Sequence, residues 1–313
     1  MSMKKKKHIA LSLLALGAAV VIGGYVVTKQ DQVAPQPAIS DVQTDVLPTT
    51  PEPTQTVDEV VPPDGQTYRS IKVVTDQPGY EISREVGLAN VPFVLSFNRM
   101  DEKHIQKNST ITIPPTFTDW DSLSPFPREL PVAQDIDKLL LVSQRIQAVG
   151  AYERGTLVRW MVTSTGKKET PTPSKLYFTN WKGKLVTSTL EGGYILPWAF
   201  NLDSMEGIAM HQFDLPGFPA SHACVRLLEA DAMWIYDWAN QWILDASGQN
   251  ELAKGTPVII FGKYAYDKRA PWKNLATDPT ATTLTVAELT EVLNKNINEI
   301  KAAAEKRVDV ENQ

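Results

Sequence analysis

Four consecutive lysines, Lys4 to Lys7, precede an apolar run from Ile9 to Val27 that is interrupted only by small or hydroxyl residues. Nineteen residues of this kind, at 1.5 Å each in a helix, approach the ~30 Å hydrocarbon core of a bilayer. Such a segment has no place in a water-soluble core, so the fold must be built from the residues beyond Val27. A cleaved signal peptide has an apolar stretch of roughly 7 to 15 residues, whereas here the run continues past Ala18-Ala19 into Val20, Val21, Tyr25 and Val27. Residues 1–30 therefore read as an uncleaved, single-pass signal anchor. Four lysines before the span, against Lys29 alone just after it, put the N-terminus in the cytoplasm and the body outside the cytoplasmic membrane.

Residues 31–66 contain seven Pro and seven acidic residues and no basic one. That composition cannot bury enough surface to offset its ordering entropy, so the stretch reads as a disordered linker. The remaining length is ample for a large core. Hydrophobic residues make up 42% of the whole and charged residues 21%, which excludes wholesale disorder. Net charge is -5, and setting aside the five lysines of residues 1–30 leaves 26 basic against 36 acidic side chains. An acidic body of this kind repels phosphates and argues against a nucleic-acid partner. Cys224 is the one cysteine, so no disulfide within the chain and no multi-Cys zinc site can form.

Order is expected to resume near Tyr68. Ile71, Val73 and the stretch Tyr80 to Val86 look strand-like or mixed, Val91 to Phe97 suits a short helix, and Ile111-Thr112-Ile113-Pro114 is an alternating strand stopped by Pro. Phe97-Asn98-Arg99-Met100-Asp101, with Ser109 to Pro114 some ten residues on, resembles the second half of a LysM module, a small βααβ fold that binds N-acetylglucosamine in wall polymers. The resemblance implies an α+β lobe over 67–116 with a glycan partner, although Asp76-Gln77-Pro78-Gly79 replaces the usual glycine-rich opening. A purely structural lobe is the alternative. A connector, 117–137, leads into a mainly β region.

From 138 to 263 short apolar runs, Leu139 to Ser143, Arg145 to Tyr152, Leu157 to Ser164, Ile208 to His211 and Val258 to Gly262, alternate with Gly and Pro turns, the pattern of a β-sandwich or barrel. One helix is expected at Glu229 to Leu244, with Trp234, Trp238 and Trp242 on one face as core packing and Glu229 and Asp231 in the first turn. Residues 264–313 read as a partly helical tail.

Two of the four histidines lie close to Cys224, in Met210-His211 and in Ser221-His222-Ala223-Cys224-Val225-Arg226-Leu227. An extended 222–226 would place His222, Cys224 and Arg226 on one face and Ala223, Val225 and Leu227 on the other. A free thiol near pKa 8.5 is mostly protonated at neutral pH, and an imidazole or a nearby cation is what makes it a nucleophile. A His-His-Cys zinc site is the competing reading, though no further acid or His lies nearby at a recognisable spacing.

The 221–227 motif, with Ala230-Asp231-Ala232 and Trp234 to Trp238 behind it, resembles the signature of the bacterial L,D-transpeptidase catalytic domain. Supporting pieces occur in the family's order: Gln144-Arg145 with Leu157-Val158-Arg159, Ser164-Thr165-Gly166-Lys167 with Thr170-Pro171-Thr172-Pro173, the aromatic stretch Gly193-Tyr194 to Phe200, and Gly207 to His211. The resemblance implies that Cys224 attacks the L-centre carbonyl, normally of meso-diaminopimelate, in a peptidoglycan stem tetrapeptide and expels D-Ala. An amine of a second stem then takes the acyl group in a 3-3 cross-link. His211 would be the base, and His222 a supporting catalytic residue. Ser221, Ala223, Arg226, Tyr194 and Trp198 would bind substrate or oxyanion, with no metal and no cofactor. Arg226 could instead pin its loop through a salt bridge. The chain departs from the family at Gln212 and Ala223, where Gly is usual, and in a shorter His211-to-Ser221 gap; Ala at positive φ costs on the order of 1 kcal/mol. An L,D-carboxypeptidase or other hydrolase on the same fold, and a non-catalytic wall-binding protein, are the competing functions.

Overall fold

In the computed structural model, residues 67–188 and 193–313 are described. The expected anchor and linker lie outside them. Among the described residues no helix is long and apolar enough to cross a membrane.

Strands β1 (Arg69–Lys72) and β2 (Thr110–Ile113) pair antiparallel and bracket helices α1 (Pro78–Val86) and α2 (Val91–Phe97). The strand-like reading of 80–86 is corrected: Pro78 opens a helix, where its missing N–H costs nothing, and Ile82 and Val86, four apart, bury on one face. These elements share a small core of Val73, Ile82, Val94, Ile111 and Ile113.

The remaining chain forms a nine-stranded sheet. Its strands are β3 (Lys138–Ser143), β4 (Ala148–Glu153), β5 (Thr156–Ser164), β6 (Leu176–Phe178), β7 (Lys182–Thr187), β8 (Ile195–Asp203), β9 (Ile208–Gln212), β10 (Val225–Leu227) and β13 (Pro257–Phe261), in the order β6-β13-β3-β4-β5-β10-β9-β8-β7. The two ends of this order are consecutive in sequence. Laid flat, nine strands would hold β6 and β7 ~38 Å apart at ~4.8 Å per strand, yet the four Cα steps from Phe178 to Lys182 reach at most ~14 Å. The sheet therefore curls into a half-barrel, and Asn180 and Trp181 complete the turn by exchanging backbone hydrogen bonds with Asn201.

Curling gives the sheet two buried faces, visible in the alternation along β3. Leu139 and Leu141 enter one core with Trp160, Val162, Ile259 and Phe261. Leu140 and Val142 enter the other with Met161, Phe200, Met210, Val225 and Ile260. Ala232 and Ile235 of helix α3 (Glu229–Trp238) cover the second core. This helix is shorter than the sequence suggests. The backbone turns extended at Ala239, and the Asn240 carbonyl is taken by Thr179 Oγ1 at 2.6 Å and Thr256 N at 3.2 Å. Trp242 consequently falls off the helix, before the small β11 (Ile243–Leu244) and β12 (Glu251–Ala253) pair, while Trp234 and Trp238 stack at 4.9 Å.

Residues 264–313, read from sequence as a tail, supply Trp272, Leu284, Leu289, Leu293 and Ile300 to the first core, partly through α4 (Val286–Asn294) and α5 (Ile297–Glu311). Arg99 ties the α+β lobe to this body. Its guanidinium is buried with no carboxylate partner; it donates to the carbonyls of Ile146 and Phe97 and lies 4.7 Å over the Trp272 ring.

Candidate active site

Strands β9 and β10 run parallel, with His211 beside Arg226 and Met210 beside Val225. Met210 and Val225 point into the second core, so alternation turns His211 and Arg226 the other way. Regular strand geometry starts only at Val225. The extended 222–226 run is thereby corrected: residues 221–224 form a loop, with Ala223 at φ 74°, the conformation in which glycine would be unstrained.

The loop still delivers its side chains to one place. A cavity of about 350 Å³ is lined by His211, Ser221, His222, Cys224, Arg226 and Tyr194, together with Phe213, Glu206 and Leu196. Two expected residues do not line it. Trp198 packs edge-on against Tyr236 at 5.5 Å, with Lys184 5.4 Å from its face, and Ala223 packs against the second core.

The segment 164–173 holds the cysteine loop in place. Thr172 Oγ1 accepts from Gly166 N at 2.8 Å and donates to the Ala223 carbonyl at 2.9 Å. Thr170 Oγ1 and Lys167 N donate to the Ser221 carbonyl at 3.1 and 2.9 Å, and Ser221 Oγ closes the loop on the Cys224 carbonyl at 2.6 Å. Gly166 is required here, because a Cβ would lie 2.3 Å from the Thr170 carbonyl. Buried Gln147 anchors the segment from below by accepting from Thr165 N and donating to Thr165 Oγ1.

Cys224 is partly buried and His222 exposed, whereas His211 is almost fully enclosed. Burial raises the Cys224 thiol pKa, against smaller opposing pulls from the Ala209 backbone and Arg226. Burial also lowers His211 to about 4; the Gln212 backbone opposes this and Arg226 adds to it. Both shifts favour the uncharged thiol and the neutral imidazole over a thiolate–imidazolium pair. His211 Nδ1 lies 2.9 Å from the Gln212 carbonyl. A carbonyl only accepts, so Nδ1 carries the proton and Nε2 is left as the basic nitrogen. The backbone oxygen does this work, which explains why a Gln is accommodated at 212.

Arg226 pins its surroundings through a ring and a carbonyl, not a carboxylate: its guanidinium lies 4.5 Å over Phe213, and Nη1 is 3.4 Å from the Asp214 carbonyl. Phe213 in turn meets the His211 ring edge-on at 5.9 Å and Tyr194 at 6.2 Å. Sequence reasoning missed Phe213, although it stands two residues after His211 and so falls on the same side of an extended chain. Glu206 gave no such signal. Among the described residues no group of three or more His, Cys, Asp or Glu is placed to hold a metal ion.

No curated protein matches the chain. Among solved structures it is similar to an L,D-transpeptidase from Mycobacterium smegmatis at 20% identity, with TM-score 0.32, over 40% of this chain and 59% of that one. It is also similar to an L,D-transpeptidase from Stackebrandtia nassauensis at 23% identity, with TM-score 0.33, over 41% and 57%. In both the chain spans less than two thirds of the other's length. Residues 137–260, which hold every residue lining the cavity, match the family model of YkuD, the L,D-transpeptidase catalytic domain.

Proposed function

We propose that the chain is a peptidoglycan L,D-transpeptidase tethered to the outer side of the cytoplasmic membrane by residues 1–30. The observation that carries this reading is Cys224 and His211 lining one cavity, with the imidazole already in the tautomer that leaves Nε2 free to take a proton. As a stem tetrapeptide seats, the Cys224 proton passes to His211 Nε2 while Sγ bonds to the carbonyl carbon of the L-centre residue. The carbonyl π electrons move to oxygen, where backbone N–H groups of the 223–224 turn stabilise the charge. Collapse of this intermediate breaks the bond to D-Ala, whose nitrogen takes the proton from His211, and leaves a thioester. A side-chain amine of a second stem then attacks the thioester, His211 again accepting and returning a proton, and Cys224 is released as thiol. Arg226, oriented by Phe213, supplies the positive charge that favours the developing thiolate and a substrate carboxylate. The βααβ lobe of residues 67–116 is proposed to contact wall glycan.

The decisive test exposes separate samples of purified protein to a carbapenem and to tetrapeptide muropeptides. A covalent adduct on Cys224, absent in Cys224→Ala, and accumulation of muropeptide dimers are expected. Wild type that takes no adduct refutes the assignment, and tripeptide accumulation without dimers makes the protein a hydrolase instead.

A further inference from the structure

The loop between the two reactive residues is held from outside the sheet. Asp101, in the first lobe, grips Leu215 at two points: its N–H donates to the Leu215 carbonyl at 2.9 Å, and its Oδ2 accepts from Leu215 N at 2.9 Å. Leu215 is fully buried, so this clamp lies at the base of the loop. Lys103 Nζ meets Asp214 Oδ2 at 2.5 Å, and the Met100 methyl fills the space under Gly217, where a Cβ would lie 2.8 Å away. Asp101 is braced by His104 Nδ1 at 2.5 Å from its other oxygen.

What the clamp holds is the wall of the cavity. Asp214 presents its carbonyl to Arg226, and Phe213 touches both the Arg226 guanidinium, at 4.5 Å, and the His211 ring, edge-on at 5.9 Å. We propose that Asp101 and Lys103 are positioning residues for the site: the first lobe, through this clamp on residues 213–217, keeps Phe213 over His211 and so keeps water from the imidazole. The proposal deepens the transpeptidase reading and rests on it for the identity of the substrate. The charged and titratable groups lining the cavity with His211 are Cys224, His222 and Arg226 from the cysteine loop and β10, Glu206 from the turn before β9, and Tyr194 just before β8.

The test monitors Cys224 in the full-length protein by intact mass, using iodoacetamide as a small probe across a pH series and a carbapenem as the larger one. Direct ionisation of the thiol makes the rate rise at alkaline pH; below that, the part of the rate in which neutral His211 takes the thiol proton should persist in wild type down to an acid limb near the depressed value of about 4 for His211. Asp101→Ala should loosen the loop, wet the ring and move that limb up by about one pH unit, with carbapenem acylation falling about tenfold through lost alignment. Asp101→Asn keeps an oxygen for Leu215 N and should behave as wild type. Lys103 is largely exposed, so Lys103→Glu leaves folding intact; repulsion from Asp214 should shift the limb the same way, and the double variant Lys103→Glu with Asp214→Lys should restore it. A folded Asp101→Ala with wild-type limb and rate overturns the proposal, as does an unshifted Lys103→Glu if Asp101→Ala fails to fold. Should wild type alkylate normally yet take no carbapenem, the transpeptidase reading fails, while the alkylation series still decides the clamp.

Discussion

Replacing Thr172 with Ala should damage both stability and reactivity, and Thr172→Ser separates the causes. The Thr172 side chain is 2% exposed, and its hydroxyl bridges Gly166 N and the Ala223 carbonyl. Removing the hydroxyl leaves two enclosed backbone groups without partners, at roughly 1–2 kcal/mol each after partial relaxation. The methyl lost in either variant adds about 0.8 kcal/mol. Thr172→Ala should therefore cost about 3–5 kcal/mol and Thr172→Ser about 1 kcal/mol, a gap readable as a shift in urea midpoint at constant slope. The same hydroxyl holds Ala223 at its unfavourable φ of 74°, a conformation costing about 1–2 kcal/mol for a residue with a Cβ. Once released, the 223–224 peptide should relax and carry the sulfur out of line, lowering carbapenem acylation of Cys224 by about 10- to 100-fold in the Ala variant. The Ser variant should acylate near the wild-type rate. Equal stability and equal acylation in Ala and Ser would show that the bridge does not shape the loop.

His211 makes a signed prediction about pH. Its folded value of about 4 lies below the unfolded value of ~6.5, so between the two the unfolded chain binds a proton that the folded one does not. Stability from this residue is complete above about pH 6.5 and falls by up to about 3 kcal/mol as pH drops to about 4. Urea titrations of wild type and His211→Gln at several pH values check this, since the variant should lack that component of the slope. Arg99→Ala should cost about 3–5 kcal/mol, because it opens a large cavity and strips the donor from the Ile146 and Phe97 carbonyls; equilibrium denaturation that finds less than about 1 kcal/mol would contradict that role.

The long central strands are legible in the sequence because β3, β4 and β13 carry apolar runs and β5 is apolar on both sides of Arg159. Hidden from it are the short β6, the nine-residue β8, and β7, an edge strand with little buried surface whose Lys182-Gly183-Lys184 stretch looks like a turn, while the expected extended run 222–226 contracts to the three residues of β10. Helix α1 reads as a strand because Ile82 and Val86 are β-branched, while their spacing of four and Pro78 at the start signal a helix. An overlong α3 comes from extending the Trp spacing past the point where Thr179 and Thr256 take the Asn240 backbone, a capture made by residues 61 positions upstream and 16 downstream. The candidate site residues are readable from their local motifs, and His211, Ser221, His222, Cys224, Arg226 and Tyr194 line one cavity. Their supports, Gln147 under Thr165 and Asp101 on Leu215, are long-range pairings that no local pattern announces.

The burial that raises the Cys224 thiol pKa has a protective side. Oxidants attack sulfur chiefly as the anion, and susceptibility depends on the fraction ionised and its exposure. A thiol favoured in its uncharged form is a poorer target for oxidation to sulfenic acid than an exposed thiolate. In the proposed mechanism the sulfur gains its charge as a bound substrate draws the proton across to the imidazole.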